Sequence, residues 1–218
     1  SGCPHNTSTK IPDGSLALGG IGCHGLVAVV MDRNTMQFLP MGHEGSPWVS
    51  VGQFVDTPHM FQNMGDGTYS HSGILAIRAA VAANANMTYK VLYNDAVAMT
   101  GGQPVELQIT PVDMVRQLLS EGVRLVLLVS DHPEQYARIK LPEHASVHHR
   151  DELDQLQRDA ERAAGRVGRA RVLVVVRAGQ APHFAQVDRG HLPPLAPFGQ
   201  KALAGKDAPS GTRQLARH

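Results

Sequence analysis

Between about Gly25 and Arg177, apolar runs of strand length alternate with helix-length segments, and this alternation limits the fold more than any other feature. His59 to Met64 (HMFQNM) reads as a strand running into a glycine turn. Ser72 to Asn86 (SGILAIRAAVAANAN) is rich in Ala, Leu and Ile with little charge, which predicts a helix buried on most sides. Thr88 to Asp95 (TYKVLYND) is dense in β-branched and aromatic residues, as strands are. Thr110 suits an N-cap, Pro111 the first helical position, and Met114, Val115, Leu118 and Leu119 share a face before Gly122 stops the helix. Val123 to Asp131 (VRLVLLVSD) and Arg171 to Val176 (RVLVVV) are continuous apolar runs, as expected of parallel strands covered on both faces. Asp151 to Gly165 reads as an exposed amphipathic helix with Leu153, Leu156 and Ala160 inward. Such alternation implies right-handed βαβ crossovers, and so an α/β fold: a parallel sheet with helices on both faces.

A chain of 218 residues, 42% hydrophobic and 18% charged, can bury a substantial core. Its formal charge of +1 gives no argument for a nucleic-acid or anionic-membrane partner, and none is expected. No stretch approaches the roughly 20 apolar residues that span a bilayer. The sequence starts at Ser1 without a basic or apolar leader, so it reads as a cytoplasmic piece of a longer chain. After Arg177 the character changes. Residues 178–218 hold ten Gly or Pro and a single β-branched apolar residue, Val187, which predicts a divergent or flexible tail behind a domain of residues 1–177.

In a parallel sheet, ligands bind beyond the carboxyl ends of the strands, where loops lead into helix N-termini. Gly65-Asp66-Gly67 falls at such a place, with free N–H groups that favour anionic oxygen and an acid that could hold a neutralising cation. Alone the tripeptide reads as a tight turn. Asn94 changes that: it lies 28 residues after Asp66, and one helix plus one strand fill the interval, so both emerge at the same edge. Mg²⁺ takes about six oxygens, few of them from protein. The Asp66 carboxylate, the Asn94 amide oxygen and one carbonyl of the 95–97 turn leave room for two diphosphate oxygens and a water.

Phe61 to Val105 (FQNMGDGTYSHSGILAIRAAVAANANMTYKVLYNDAVAMTGGQPV) resembles the diphosphate-binding domain of the indolepyruvate group of 2-oxoacid:ferredoxin oxidoreductases. So do Ser1 to Gly25 (SGCPHNTSTKIPDGSLALGGIGCHG) and Val147 to Asp159 (VHHRDELDQLQRD), and the resemblance covers about residues 1–177. It implies thiamine diphosphate held through Mg²⁺, with Asp66, Asn94 and the Ala96 carbonyl as metal ligands. Gly65, Gly67 and Thr68 are then diphosphate contacts, and Thr100 lies near the cofactor unless its Thr-Gly-Gly-Gln turn is a turn and nothing more. His71 is the tempting base, but the cofactor activates itself, aided in such enzymes by a glutamate from a different domain. His71 is therefore expected to pack or hydrogen-bond.

Cys3 and Cys23 match two ligands of the family's [4Fe–4S] cluster, which needs four thiolates. The residue matching a third would stand immediately before Ser1, and no cysteine follows Cys23. A truncated or frame-shifted end and a ligand from another segment both explain this. The resemblance implies oxidative decarboxylation of 2-oxo acids, arylpyruvates such as indolepyruvate, with the acyl group passed to coenzyme A and electrons to ferredoxin. It also implies a pyrimidine-binding domain as partner. A non-oxidative thiamine-dependent decarboxylase or carboligase, and a catalytically incomplete cofactor-binding module, are the rivals. His148-His149 is expected at the surface. His24 either shapes the pocket or serves local structure. His43 stands where relatives have glycine, which is costly if that backbone needs positive φ. Trp48 lines the active-site mouth or packs.

Overall fold

The computed structural model describes residues 3, 5–105, 107, 109–164 and 170–176; the predicted tail, 178–218, lies outside the described residues. In chain order the elements are α1 (His5–Ser8), β1 (Ala17–Gly19), α2 (Cys23–Val30), β2 (Thr35–Phe38), α3 (Ser46–Val51), β3 (Met60–Gly65) and α4 (Asp66–Thr68). A wide π turn (Tyr69–Gly73) leads into α5 (Ile74–Ala82), followed by β4 (Met87–Tyr93), α6 (Pro111–Ser120), β5 (Val126–Ser130), β6 (Ala145–His149), α7 (Leu153–Ala164) and β7 (Arg171–Val176). All seven strands pair in parallel, in the order β2-β1-β3-β4-β7-β5-β6. The α/β expectation holds.

The continuous apolar runs occupy the middle of the sheet, where both faces are covered. On one face Val91, Val126, Leu128, Val172 and Val174 meet Ile77 of α5 and Val115 and Leu118 of α6. On the other, Leu92, Leu127, Val129, Leu173 and Val175 meet Leu153 of α7. The predicted cap of α6 is present: Thr110 Oγ1 accepts a hydrogen bond from the Asp113 N–H at 3.2 Å.

The Ser72–Asn86 segment differs from its expectation. It is α5 with a π turn before it, and only the stripe Ala76, Ile77 and Ala80 is buried, while Leu75 is 56% exposed. A helix this poor in charge carries no polar face to say which side meets the sheet. Three strands also escape the sequence pattern. β1 is a three-residue Ala-Leu-Gly, and β2 and β6 are edge strands whose side chains are largely half-buried or exposed.

Polar groups fasten the N-terminal arm to this sheet. Lys90, fully buried on β4, donates to the carbonyls of Ser8 and Lys10 at 2.9 and 2.8 Å and to Gln157 Oε1 of α7 at 3.0 Å. Burial pushes its pKa down to about 7, while the three oxygens match the three N–H bonds of the ammonium form. Arg150 binds Asp131 at 2.8 Å, Ser8 Oγ at 2.7 Å and the Val176 carbonyl, and His5 Nε2 lies 3.0 Å from the Tyr93 carbonyl oxygen.

Candidate functional site

Strand order places one switch point in the left half of the sheet. From β1 the chain moves outward to β2, whereas from β3 it moves the opposite way to β4. Right-handed connections running in opposite directions put their helices on opposite faces, which opens a crevice beyond the carboxyl ends of β1 and β3. A cavity of about 400 Å³ lies there, lined by the 21–24 loop from β1, the 65–68 turn from β3 and Asn94, Ala96, Val97, Met99 and Thr100 after β4. The sequence reading therefore converges on one place: Gly65, Asp66, Gly67, Thr68, Asn94, Ala96, Thr100, Cys3 and Cys23 all line this cavity.

Asp66 opens α4 at the end of β3 and is buried. Its Oδ1 accepts the Gly67 N–H at 2.9 Å, and its Oδ2 accepts those of Asn94 and Asp95 at 2.8 and 2.6 Å. Burial pushes its pKa up to about 6, against the pull of these three donors. Asp95 reaches this geometry with φ of 54°, a left-handed backbone that a non-glycine residue adopts only when its surroundings impose it. The Asn94 side-chain amide faces three oxygens: one of its terminal atoms lies 3.0 and 3.1 Å from the two Asp66 oxygens and 2.9 Å from the Ala96 carbonyl oxygen. With nitrogen at that position the amide donates to its neighbours. Turned over, it completes a cluster of oxygens with the same spacing.

This spacing decides whether a hard cation fits. In an octahedron with Mg–O distances of 2.0–2.1 Å, adjacent oxygens are about 2.9 Å apart. The terminal position of the Asn94 amide stands at about that distance from the Asp66 carboxylate oxygens and the Ala96 carbonyl oxygen. The iron–sulfur ligand set is incomplete. Cys3 and Cys23 are free thiols, Cys23 Sγ lies 3.8 Å from the Met99 thioether, and the chain has no third cysteine. Among the described residues no group of three or more His, Cys, Asp or Glu is arranged to hold a metal.

Gly65 and Gly67 keep ordinary backbone angles, and a Cβ on either would meet only van der Waals contacts at 3.8 and 3.7 Å. Their missing side chains leave room in the cleft rather than relieve a strained turn. Thr68 Oγ1 and His24 Nε2 are buried without hydrogen-bond partners. Thr100 is both things the sequence allowed: its hydroxyl binds Gln103 Oε1 at 2.9 Å within the turn, and it borders the cleft. His71 is exposed on the π turn, away from the lining.

The remaining expectations resolve locally. Trp48 is buried in the core and donates to the Asn86 carbonyl at 2.9 Å, so it packs. His43 avoids the feared strain, because Gly42 and Gly45, with φ of 90° and 84°, carry the left-handed backbone on either side. His148 and His149 lie on β6, and His149 Nδ1 accepts the Asp151 N–H, capping the turn before α7. Sequence reasoning missed Lys90, Arg150 and Glu44. A lone lysine inside an apolar strand was the one visible signal among them. Glu44 is fully buried, with its pKa raised by that burial and Oε2 bound to the Gly42 N–H at 2.7 Å.

No family model and no curated protein matches the chain. Solved structures match its fold. A 2-oxoglutarate:ferredoxin oxidoreductase from Magnetococcus marinus, solved with 2-oxoglutarate, coenzyme A and succinyl-CoA, aligns over 79% of this chain and 56% of its own, at 19% identity and a TM-score of 0.51. A thiamin diphosphate-dependent enzyme from Mycobacterium smegmatis aligns over 78% of this chain and 31% of its own, at 19% identity and a TM-score of 0.51. Benzoylformate decarboxylase from Polynucleobacter necessarius gives 15% identity and a TM-score of 0.52 over the same shares. The fold is shared with these enzymes. The chain spans 31–56% of their lengths.

Proposed function

We propose that this chain is the diphosphate-binding part of a thiamine diphosphate-dependent 2-oxoacid:ferredoxin oxidoreductase. The observation that carries the reading is the convergence of the Asp66 carboxylate, the Asn94 amide and the Ala96 carbonyl on one cavity at the switch point of a parallel sheet. When bound, thiamine diphosphate supplies the nucleophilic carbon and the electron sink for decarboxylation of a 2-oxo acid. The chain's own residues do the holding. Asp66, kept in place by three backbone N–H groups, would hold Mg²⁺ together with the Asn94 amide and the Ala96 carbonyl. The bare backbone at Gly65 and Gly67 lets the diphosphate close on the metal, Thr68 donates its hydroxyl, and Thr100 borders the cofactor.

The finer reading is indolepyruvate or another arylpyruvate as substrate, coenzyme A as acyl acceptor and ferredoxin as electron acceptor, in the cytoplasm. A pyrimidine-binding domain completes the cofactor site. Cys3 and Cys23 would be two thiolates of a [4Fe–4S] cluster, which this chain alone does not complete. The presence of an oxidoreductase among the fold neighbours supports this choice, and the decarboxylase among them keeps the non-oxidative alternative in view.

Titration of the chain with thiamine diphosphate at fixed Mg²⁺ tests the core of the proposal. Binding is expected to require Mg²⁺ and to fall at least 100-fold in Asp66→Ala; equal binding in that variant sinks the metal site. Anaerobic reconstitution with iron and sulfide, followed by EPR of the reduced complex with its partner, separates the oxidoreductase from its non-oxidative rival. A [4Fe–4S] signal lost in Cys23→Ser supports the first, and an intact enzyme without a signal supports the second.

A further inference from the structure

Three backbone donors beside the glycine turn are spent before any ligand arrives. The N–H groups of Gly67, Asn94 and Asp95 all point at Asp66. Side-chain donors of the lining are therefore what a diphosphate seated beside them would draw on. Two polar side-chain atoms of the lining are buried and unpartnered: Thr68 Oγ1, already read as a diphosphate contact, and Nε2 of His24.

His24 sits in the first turn of α2, directly after the β1 loop, and is 7% exposed. Its ring is held from two sides. Gly22, at φ of 153°, leaves the space beneath it, since a Cβ there would stand 2.8 Å from the ring Cε1. Gly65, across the crevice on β3, faces the same Cε1 at 3.8 Å from its own Cβ position. The imidazole therefore bridges the two loops that form the switch point, next to the residue that opens the diphosphate turn. A buried ring nitrogen without a partner costs the empty protein lost hydration. A ligand oxygen that accepts from it removes that cost.

We propose that His24 is a cofactor-binding residue whose Nε2–H donates to a diphosphate oxygen across the β1–β3 crevice. The inference rests on the thiamine diphosphate reading and adds to it a donor from the opposite wall of the site. It also predicts an opposition between stability and binding, which a merely structural histidine does not produce.

The full 218-residue chain and its His24→Leu and His24→Gln variants test it. Leucine fills the ring's space without a polar atom, and the glutamine amide reaches the Nε2 position. Calorimetric titrations use two probes at fixed Mg²⁺, thiamine diphosphate and inorganic pyrophosphate, and urea denaturation is followed without either. His24→Leu is expected to bind both probes about 10- to 100-fold more weakly, the range of a hydrogen bond to a charged group. His24→Gln stays within about threefold of wild type. Without ligand, His24→Leu is expected to be at least as stable as wild type. Failure of wild type to bind either probe overturns the cofactor reading together with this proposal. Wild-type binding with an unchanged leucine variant overturns the role of His24 alone. A leucine variant that loses thiamine diphosphate but keeps pyrophosphate moves the contact off the diphosphate and overturns the assignment. One that loses both affinity and ligand-free stability makes His24 a structural residue.

Discussion

A histidine away from the cleft sets how the fold answers acid. His59 is buried beside β3, with Nε2 2.9 Å from Thr88 Oγ1. Burial first, and the Arg171 charge second, push its pKa down to about 3. In the unfolded chain it titrates near 6.5. Below that pH the unfolded state takes up a proton that the folded state refuses, so stability falls as pH drops from 6.5 towards 3. The slope contributed by this residue approaches about 1.4 kcal/mol per pH unit. His59→Gln keeps the bond to Thr88 and is expected to flatten the curve by about that amount in urea denaturations between pH 7 and 4. An unchanged slope contradicts the burial argument. From the sequence, His59 is one of twelve histidines with no sign of its surroundings. The convergence of Asp66 and Asn94 on one cleft was legible because one helix and one strand fill the interval between them, which brings both out at the same sheet edge. His24 was half legible, since its neighbour Cys23 drew attention while its unpartnered nitrogen exists only in three dimensions.

Elements were legible where burial is symmetric or where capping chemistry is local. β5 and β7 announce themselves as unbroken aliphatic runs, and α6 by Thr110 and Pro111. Elements held by long-range contacts were silent, as with α3, whose entry depends on Gly45. That glycine has φ of 84°, and a Cβ there would stand 2.6 Å from Met87 Cε and collide with the Tyr89 hydroxyl. The hydroxyl is itself fixed by the Glu44 carbonyl at 3.0 Å. Gly45→Ala thus combines a left-handed backbone penalty of about 1–2 kcal/mol with overpacking of about 1–3 kcal/mol. A loss of about 2–5 kcal/mol in denaturant midpoint analysis is the expected result. A neutral substitution would mean that the 42–45 loop repositions freely.

On the scale of the whole molecule, the cysteine-bearing arm is attached by polar groups from distant parts of the chain: Tyr93 and Lys90 on β4 and Arg150 after β6, with Gln157 of α7 bound to Lys90. No local pattern in the first ten residues encodes these partners, so the arm's position could not be read from its sequence. Replacing Lys90 by methionine preserves length and strips the three oxygens of their donor. The expected cost is about 3 kcal/mol. It should appear locally as well, as faster hydrogen exchange at the Thr9 and Lys10 amides than at Leu128 in the sheet centre. Uniform acceleration across both regions argues that Lys90 supports the core and not the arm.

The strand order has a consequence for how such a protein is made. β7, the last of the described strands in chain order, is inserted between β4 and β5. Until Arg171–Val176 has been synthesised, β2-β1-β3-β4 and β5-β6 have no common neighbour, and two raw edges face each other across an empty slot. Nascent chains therefore carry an open edge on β4 from its synthesis until β7 is made, a natural occasion for chaperone protection.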